Sequence, residues 1–420
     1  MEIYAASHLV PVSSPPVSGG AILVDSGRIV ATGSVAELRA KHNAAVRDFP
    51  CCAIVPGLVN AHTHLELTHF PSWKIRKGID YAPRTYVDWI IQVIKIRRAL
   101  TLQELELSVR EGIRICLESG TTSVGEVLSD RSLLPLYAAA SLAGRVYFEA
   151  IGHDPVRCLE SLTALRHDLT TFAHGSLKPG LSPHAPHTLS ARFHGEIMGL
   201  AKDLGIPRLI HLAESREEID FFFDTSGKIA ELLYPHVRWE EYLPPPQRAT
   251  STAWLNRLGL LDGNTTAVHG VQLTPSDAEI LSSRDVGMVL CPRSNEKLAV
   301  GKAPAHLLKK LGILIALGTD SLASNDSLSL WDEMRFASAT AYPDVFTPAE
   351  ILAMATLNAA QVMKVESEVG SLEAGKRADF LVVPLPGPVA QSELYEAIIH
   401  GGDRCDVYVA GRPLTNNRLK

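Results

Sequence analysis

Between residues 54 and 365 the chain alternates short apolar runs with stretches of helical periodicity. The runs 54–61, 121–127, 145–151, 179–184, 208–213, 265–269, 286–291 and 313–318 have the length and apolar content of buried strands. Helical spacing is clearest over 102–118, where Leu102, Leu105, Leu107, Val109, Ile113, Ile115 and Leu117 make a broad apolar face. A succession of strand–helix units predicts an α/β fold of the (β/α)8 TIM-barrel type. A doubly wound sheet is the alternative, but no G-x-G-x-x-G follows the first strand. The interval 215–262, between the fifth and sixth strands, is long and contains Phe221-Phe222-Phe223 and Pro244-Pro245-Pro246. In a barrel it lies over the C-terminal mouth, which makes it a candidate lid.

The two ends read differently. Ala21-Ile22-Leu23-Val24-Asp25, the turn Ser26-Gly27 and Arg28-Ile29-Val30-Ala31-Thr32 form a hairpin pattern. Ala378–Val383 and Cys405–Gly411 repeat that style near the C-terminus. The expected organisation is a small β-sandwich domain assembled from 1–53 and 366–420, with a barrel domain over 54–365. The net charge of -6 comes without any Lys/Arg run, which disfavours nucleic acid or a membrane surface as partner and favours a small molecule. Six cysteines, at 51, 52, 116, 158, 291 and 405, lack zinc-finger or redox-pair spacing and read as reduced thiols of a cytoplasmic protein. The start Met1-Glu2-Ile3-Tyr4 lacks a basic signal region, and no apolar run reaches about 18 residues. A chain neither exported nor membrane-spanning is expected.

Four strands end in residues able to bind a metal. His62 and His64 close the first, in Val59-Asn60-Ala61-His62-Thr63-His64. Alternate side chains of a strand share a face, so both imidazoles leave in one direction. Two neutral imidazoles aimed at one point suit a divalent ion such as zinc; two polar histidines at a loop start are the alternative. The fifth strand carries His211 and then Glu214, the sixth ends in His269, and the eighth in Gly318-Thr319-Asp320. A lone strand histidine is more often a hydrogen-bonded core residue, and a lone Asp after Gly-Thr a turn or cap. The ends of strands one, five, six and eight converge on the catalytic face of a barrel, which joins four separate signals into one site.

In this order, HxH, His, His and Asp, the residues resemble the amidohydrolase superfamily over nearly the whole chain. The motifs that carry the resemblance are Pro56–His64, Ser182-Pro183-His184-Ala185-Pro186, His211-Leu212-Ala213-Glu214-Ser215, Cys291-Pro292-Arg293-Ser294-Asn295 and Gly318-Thr319-Asp320. Together they are similar to the branch that deaminates adenosine derivatives. The superfamily fold is a barrel with a β-sandwich from both termini. The resemblance implies one divalent metal per chain, Zn2+ with Fe2+ as the alternative, held by His62, His64, His211 and Asp320. Binuclear members carry a bridging lysine at the end of strand four; here the nearest lysine, Lys178, precedes that end. The implied chemistry starts from a water whose pKa the metal lowers from 15.7 toward about 7. Asp320 accepts its proton, His269 orients it, and Glu214 protonates the purine ring nitrogen and carries a proton to the departing ammonia. Read without the resemblance, Glu214 is a helix N-terminal carboxylate ahead of Glu217 and Glu218.

The same resemblance suggests a nucleoside substrate. His184, ending strand four, is expected to touch the ribose, and Trp89 to line the pocket. Enzymes for methylthioadenosine or S-adenosylhomocysteine carry a ribose-binding glutamate eight or nine residues after this tryptophan, where Arg97 and Arg98 stand here. Glu66, in His64-Leu65-Glu66, and the run Leu394–His400 are instead similar to aminodeoxyfutalosine deaminases of menaquinone biosynthesis. Arg97 would then pair with the substrate's benzoate, Glu66 would hold a ribose hydroxyl, and Glu149, ending strand three, would meet a polar group. The alternatives are a methylthioadenosine, S-adenosylhomocysteine or adenosine deaminase, and a deaminase or chlorohydrolase of a free purine, pyrimidine, pterin or triazine. A ring-opening amidase would want the bridging lysine, and a scaffold paralogue would have lost a ligand. A homodimer is an expectation of the resemblance alone.

Overall fold

The computed structural model describes residues 1–173 and 175–414, so the last six residues of the expected terminal domain lie outside it. Eight parallel strands follow one another in chain order: Leu58–Thr63, Thr121–Leu128, Ala143–Ala150, Leu177–Pro183, Arg208–Leu212, Thr265–His269, Gly287–Leu290 and Ile315–Leu317. Their interiors are almost wholly buried, as continuous apolar runs in a parallel sheet should be. The first and last approach each other at a parallel bridge between Thr63 and Asp320, bringing the sheet round to a barrel. That bridge joins the HxH strand end to the strand end carrying the carboxylate.

The termini build a second eight-stranded sheet, whose main path runs from Arg412–Pro413 through Asp406–Val409, Phe380–Pro384, Ala45–Pro56, Glu2–Leu9 and Gly20–Asp25 to Arg28–Ser34. The hairpin turn is Ser26-Gly27, with φ of 50° and 80°, the left-handed pair that a type I′ turn needs. Tyr4, Ile22, Phe380 and Tyr408 pack together in this unit.

Two sequence expectations change. The apolar run 54–61 is divided at Gly57. Ile54, Val55 and Pro56 pair with Val382, Leu381 and Phe380 in the terminal sheet, and the barrel begins at Leu58. A Cβ at Gly57 would lie 2.2 Å from Thr122 Oγ1, so only glycine lets the chain cross between the sheets this closely. The helix Leu102–Glu118 forms as expected, yet its buried stripe is narrower than the apolar count suggested. Leu105, Ser108, Val109, Gly112, Ile113, Cys116 and Leu117 are inside, while Leu102 and Leu107 are exposed. The run 394–400 lies in the helix Leu394–Gly401, which buries Leu394, Ile398 and Ile399. In the 215–262 interval, Arg216–Asp224, a turn at Ile229–Leu233 continuing into Tyr234–Val237, and Ser251–Arg257 are helical. Among the described residues, no helix is long and apolar enough to cross a membrane.

Candidate active site

At the C-terminal ends of the barrel strands, four histidines and an aspartate meet. His64 Nε2 is 3.3 Å from His211 Nε2. Asp320 Oδ1 lies 3.7 Å from His62 Nε2 and 3.8 Å from His64 Nε2. Zinc–nitrogen bonds of about 2.0–2.1 Å in a tetrahedron separate neighbouring donors by about 3.3 Å, so these spacings suit one small divalent ion. Both ring nitrogens of His62 are buried and have no hydrogen-bond partner among the described residues. An unpaired buried imidazole is unfavourable, and a cation relieves it. Burial pushes the His62 and His211 imidazoles well below their ordinary range, helped by the neighbouring histidines, and His64 follows for the same first reason. Neutral rings with free lone pairs are what a metal ligand requires. His211 is oriented for it: Nδ1 donates to the His184 carbonyl at 2.7 Å, leaving Nε2 as the acceptor.

Backbone strain accompanies this convergence. Ala213, His269 and Asp320 have φ of 51°, 72° and 59°, all in the left-handed region that residues with a Cβ rarely occupy. Each stands where a strand turns abruptly into its loop. Burial raises the Asp320 carboxyl, but His62, His64, His269 and Ser324 outweigh burial and hold it below the usual range. Ser294 Oγ and Ser324 Oγ both donate to Asp320 Oδ2 at 2.7 Å, so Oδ1 is the oxygen nearest the imidazoles. Glu214 Oε1 is 3.6 Å from His269 Nε2, and burial raises its carboxyl.

These groups open onto a cavity of about 420 Å³, a size that holds a nucleoside-sized molecule. Its wall gathers all the remaining residues singled out in the sequence: Glu66, Trp89, Arg97, Glu149 and His184. Trp89 Nε1 donates to the Ala323 carbonyl at 3.0 Å, fixing the indole beside the Asp320 loop. His184 is held by Thr188 Oγ1 at 3.1 Å, and burial lowers it to about 3. Arg97 has a partner that the sequence did not show. Its Nη1 is bound to the Glu66 carboxylate, while the partly exposed guanidinium lies on the cavity wall. Leu233, Val237 and Trp239 of the 215–262 interval complete the wall. Lys178 is exposed and does not line the cavity, as a bridging ligand would have to.

The sequence pattern of the amidohydrolase family matches residues 53–414. The chain belongs to the amidohydrolase family. A bacterial imidazolonepropionase-like composite-domain pattern matches residues 20–42. The 5-methylthioadenosine/S-adenosylhomocysteine deaminase of Moorella thermoacetica is 30% identical over 423 residues, covering 97% of this amidohydrolase and 92% of the relative. The aminodeoxyfutalosine deaminase of Deinococcus radiodurans is 30% identical over 329 residues, covering 76% of each chain. The crystal structure of an adenosine deaminase from Xanthomonas campestris with bound zinc superposes with a TM-score of 0.79 at 26% identity, covering 99% of this chain and 93% of that one.

Around the donors, this amidohydrolase has supporting groups that the sequence reading gave no role. Tyr86 OH donates to Glu214 Oε2 at 2.8 Å. His269 Nδ1 meets Asn295 Oδ1 at 3.0 Å, which leaves Nε2 facing Glu214 and the donor cluster. Asn295 and Ser294 stand in the Cys291–Asn295 motif, so their importance was visible but their partners were not. Glu218 stands in the first turn of the helix Arg216–Asp224. From there it folds back, accepting from the Ala213 N–H at 2.9 Å and the Glu214 N–H at 3.3 Å, and so fixes the turn that carries Glu214. Glu126, buried on the second strand, accepts from Leu65 N–H at 3.0 Å and from Thr63 Oγ1 and Tyr137 OH, bracing the HxH segment from behind.

Proposed function

We propose that this amidohydrolase is a hydrolytic deaminase of an adenine nucleoside derivative, replacing the 6-amino group by oxygen and releasing ammonia. The observation that carries the reading is Glu214: a buried carboxyl, held by Tyr86, 3.6 Å from His269 and facing the same cavity as the metal-competent cluster. The names of the aligned relatives support it. His62, His64, His211 and Asp320 would hold the ion, with zinc favoured by the bound zinc of the Xanthomonas structure. Such an ion supplies an acidified water, from 15.7 toward about 7. Asp320, whose Oδ2 is held by Ser294 and Ser324, would be the base for that water's proton. His269, its tautomer set by Asn295, aligns the attacking oxygen. Burial raises the Glu214 carboxyl, which favours the acid form that gives a proton to the ring nitrogen beside the attacked carbon; its carboxylate then carries a proton to the leaving ammonia. Over the cycle the water oxygen adds at C6 and the C–N bond breaks; one water proton leaves on ammonia, and the other, taken by Asp320, replaces the proton that Glu214 gave the ring, so the product is the inosine-type base.

The narrow substrate reading is 6-aminodeoxyfutalosine, in menaquinone biosynthesis. It rests on Glu66, on the arginines at 97 and 98, and on the Deinococcus relative. A second reading, methylthioadenosine or S-adenosylhomocysteine, is favoured by the Moorella relative's alignment over 97% of the chain. The test is ammonia release and loss of adenine absorbance with metal-loaded protein on aminodeoxyfutalosine, methylthioadenosine, adenosylhomocysteine and adenosine. Turnover of any one supports the nucleoside reading, and the preferred one separates the two. No turnover across the panel overturns both. Glu214→Gln should lower turnover by about 10²–10⁴-fold with metal content unchanged near one per chain; two metals per chain would refute a mononuclear site.

A further inference from the structure

Tyr86 is the first residue of the helix Tyr86–Arg98, and its side chain reaches across to the turn after the fifth strand. Its hydroxyl donates to Glu214 Oε2 at 2.8 Å, and both residues are buried. Burial first, and then the Glu214 charge, raise the phenol well above its usual range, so it stays protonated and acts as a donor. Glu214 Oε1 is 3.6 Å from His269 Nε2 and has no hydrogen bond among the described residues. The terminal torsion of a glutamate is soft, so either oxygen of an unheld carboxyl can swing to the reacting atoms. A donor fixed on Oε2 ends that equivalence, and the proton of the acid form then resides on Oε1. The tyrosine is itself held. Thr85 caps the helix, its side chain accepting from the Asp88 N–H at 3.3 Å. The Trp89 indole, one turn on, lies 5.6 Å from the Tyr86 ring, centre to centre, and is tied to the Ala323 carbonyl. The same helix brings Trp89, Ile90, Val93 and Arg97 to the cavity. The hydroxyl therefore registers the acid against the wall that receives the substrate.

We propose that Tyr86 is the positioning residue for proton transfer, reserving Oε2 so that Oε1 alone exchanges protons with the substrate. The proposal rests on the deaminase reading above and deepens it. In that cycle Oε1 gives a proton to the ring nitrogen, relays one water proton to the departing ammonia, and is reloaded with the proton that Asp320 took. Every transfer at Glu214 then runs through one oxygen in one place; an acid displaced by about 1 Å loses on the order of 10²-fold in rate.

The test compares wild type with Tyr86→Phe, which keeps the ring beside Trp89 and removes the hydroxyl, both metal-loaded. On the preferred nucleoside of the panel, kcat should fall about 10- to 100-fold, the range of hydrogen bonds to charged groups, with KM and metal content unchanged. In a Glu214→Gln background the same change should cost nothing further, because the hydroxyl acts only through the acid. Losses that multiply in the double variant, or a raised KM with kcat kept, overturn the positioning role. Crystal structures of the two proteins give a readout that needs no turnover. Glu214 should hold one orientation in wild type and be turned, or divided between two, in Tyr86→Phe; an unchanged Glu214 overturns the proposal. Tyr86→Met, also without a hydroxyl and adaptable in packing, takes its place if Tyr86→Phe does not fold. A wild type that turns over no nucleoside, with Glu214 released in the variant, sinks the deaminase reading and leaves the positioning role. Full kcat in Tyr86→Phe does the reverse.

Discussion

The donor cluster depends on how closely the first and last barrel strands approach. Gly318 permits that approach: a Cβ there would lie 2.8 Å from His62 Cβ and 3.0 Å from its backbone nitrogen. Gly318→Ala should push His62 out of line, lowering bound metal per chain and turnover together, while overpacking costs about 1–3 kcal/mol of stability. Full metal occupancy in that variant, by elemental analysis, would show that the contact does not hold the site. His62, His64, His211, His269, Glu214 and Asp320 were all legible as candidates, because each stands at or just past the end of an apolar run. Arg97 was legible as a position but not as a partner. Its bond to Glu66 joins residues 31 apart in sequence, and Tyr86 reaches Glu214 across 128, distances over which local pattern carries no contact information.

Strands were easier to read than helix faces. A parallel barrel strand is buried on both sides, so its apolar run is continuous and its position shows directly. A helix buries one stripe only, and an apolar residue outside it looks the same in sequence. The helix Leu102–Glu118, opened by the Thr101–Glu104 capping box, buries Leu105 to 5% exposure and leaves Leu107 at 54%. Leu105→Ala should therefore cost about 2–5 kcal/mol, and Leu107→Ala within about 0.5 kcal/mol, both read from urea midpoints. Comparable losses at the two positions would mean that the face is wrongly drawn. The division at Gly57 was hidden for a related reason: residues on both sides of it, Ile54 to Pro56 and Leu58 to Val59, are apolar, and both sheets demand apolar strands. Which residue crosses from one sheet to the other is decided by the close contact with Thr122.

Across the whole molecule, buried ionisable groups set how stability responds to pH. Glu126, Glu149 and Glu333, at about 8, and Glu218, at about 7, keep their protons when folded, above the ordinary 4.5. Their contribution is present below about pH 4.5 and is lost as pH rises toward 8. His184 and His187, at about 3, and His153 and His194, at about 4, remain neutral when folded, so their contribution is present above 6.5 and lost on acidification. Opposing slopes nearly cancel between about pH 4.5 and 6.5. Urea denaturation of the metal-stripped chain should show a broad maximum there, falling on both sides, with a shallower alkaline limb in Glu126→Gln. Stability that rises from pH 6.5 to 8 would contradict this. Sequence by itself determined the barrel, the terminal β unit and the residues that can bind metal. Strand periodicity and strand-end position are local properties, and a closed parallel sheet leaves the ends only one place to meet. Only tertiary structure decided which groups hold those residues in register and where charge is left unpaired. Glu218 bracing Glu214, Arg97 paired with Glu66, and the buried Glu66 oxygen without a hydrogen bond among the described residues all arise from side chains that distant segments bring together inside a low-dielectric cavity. There an unmatched hydrogen bond is costly enough to specify what must fill it.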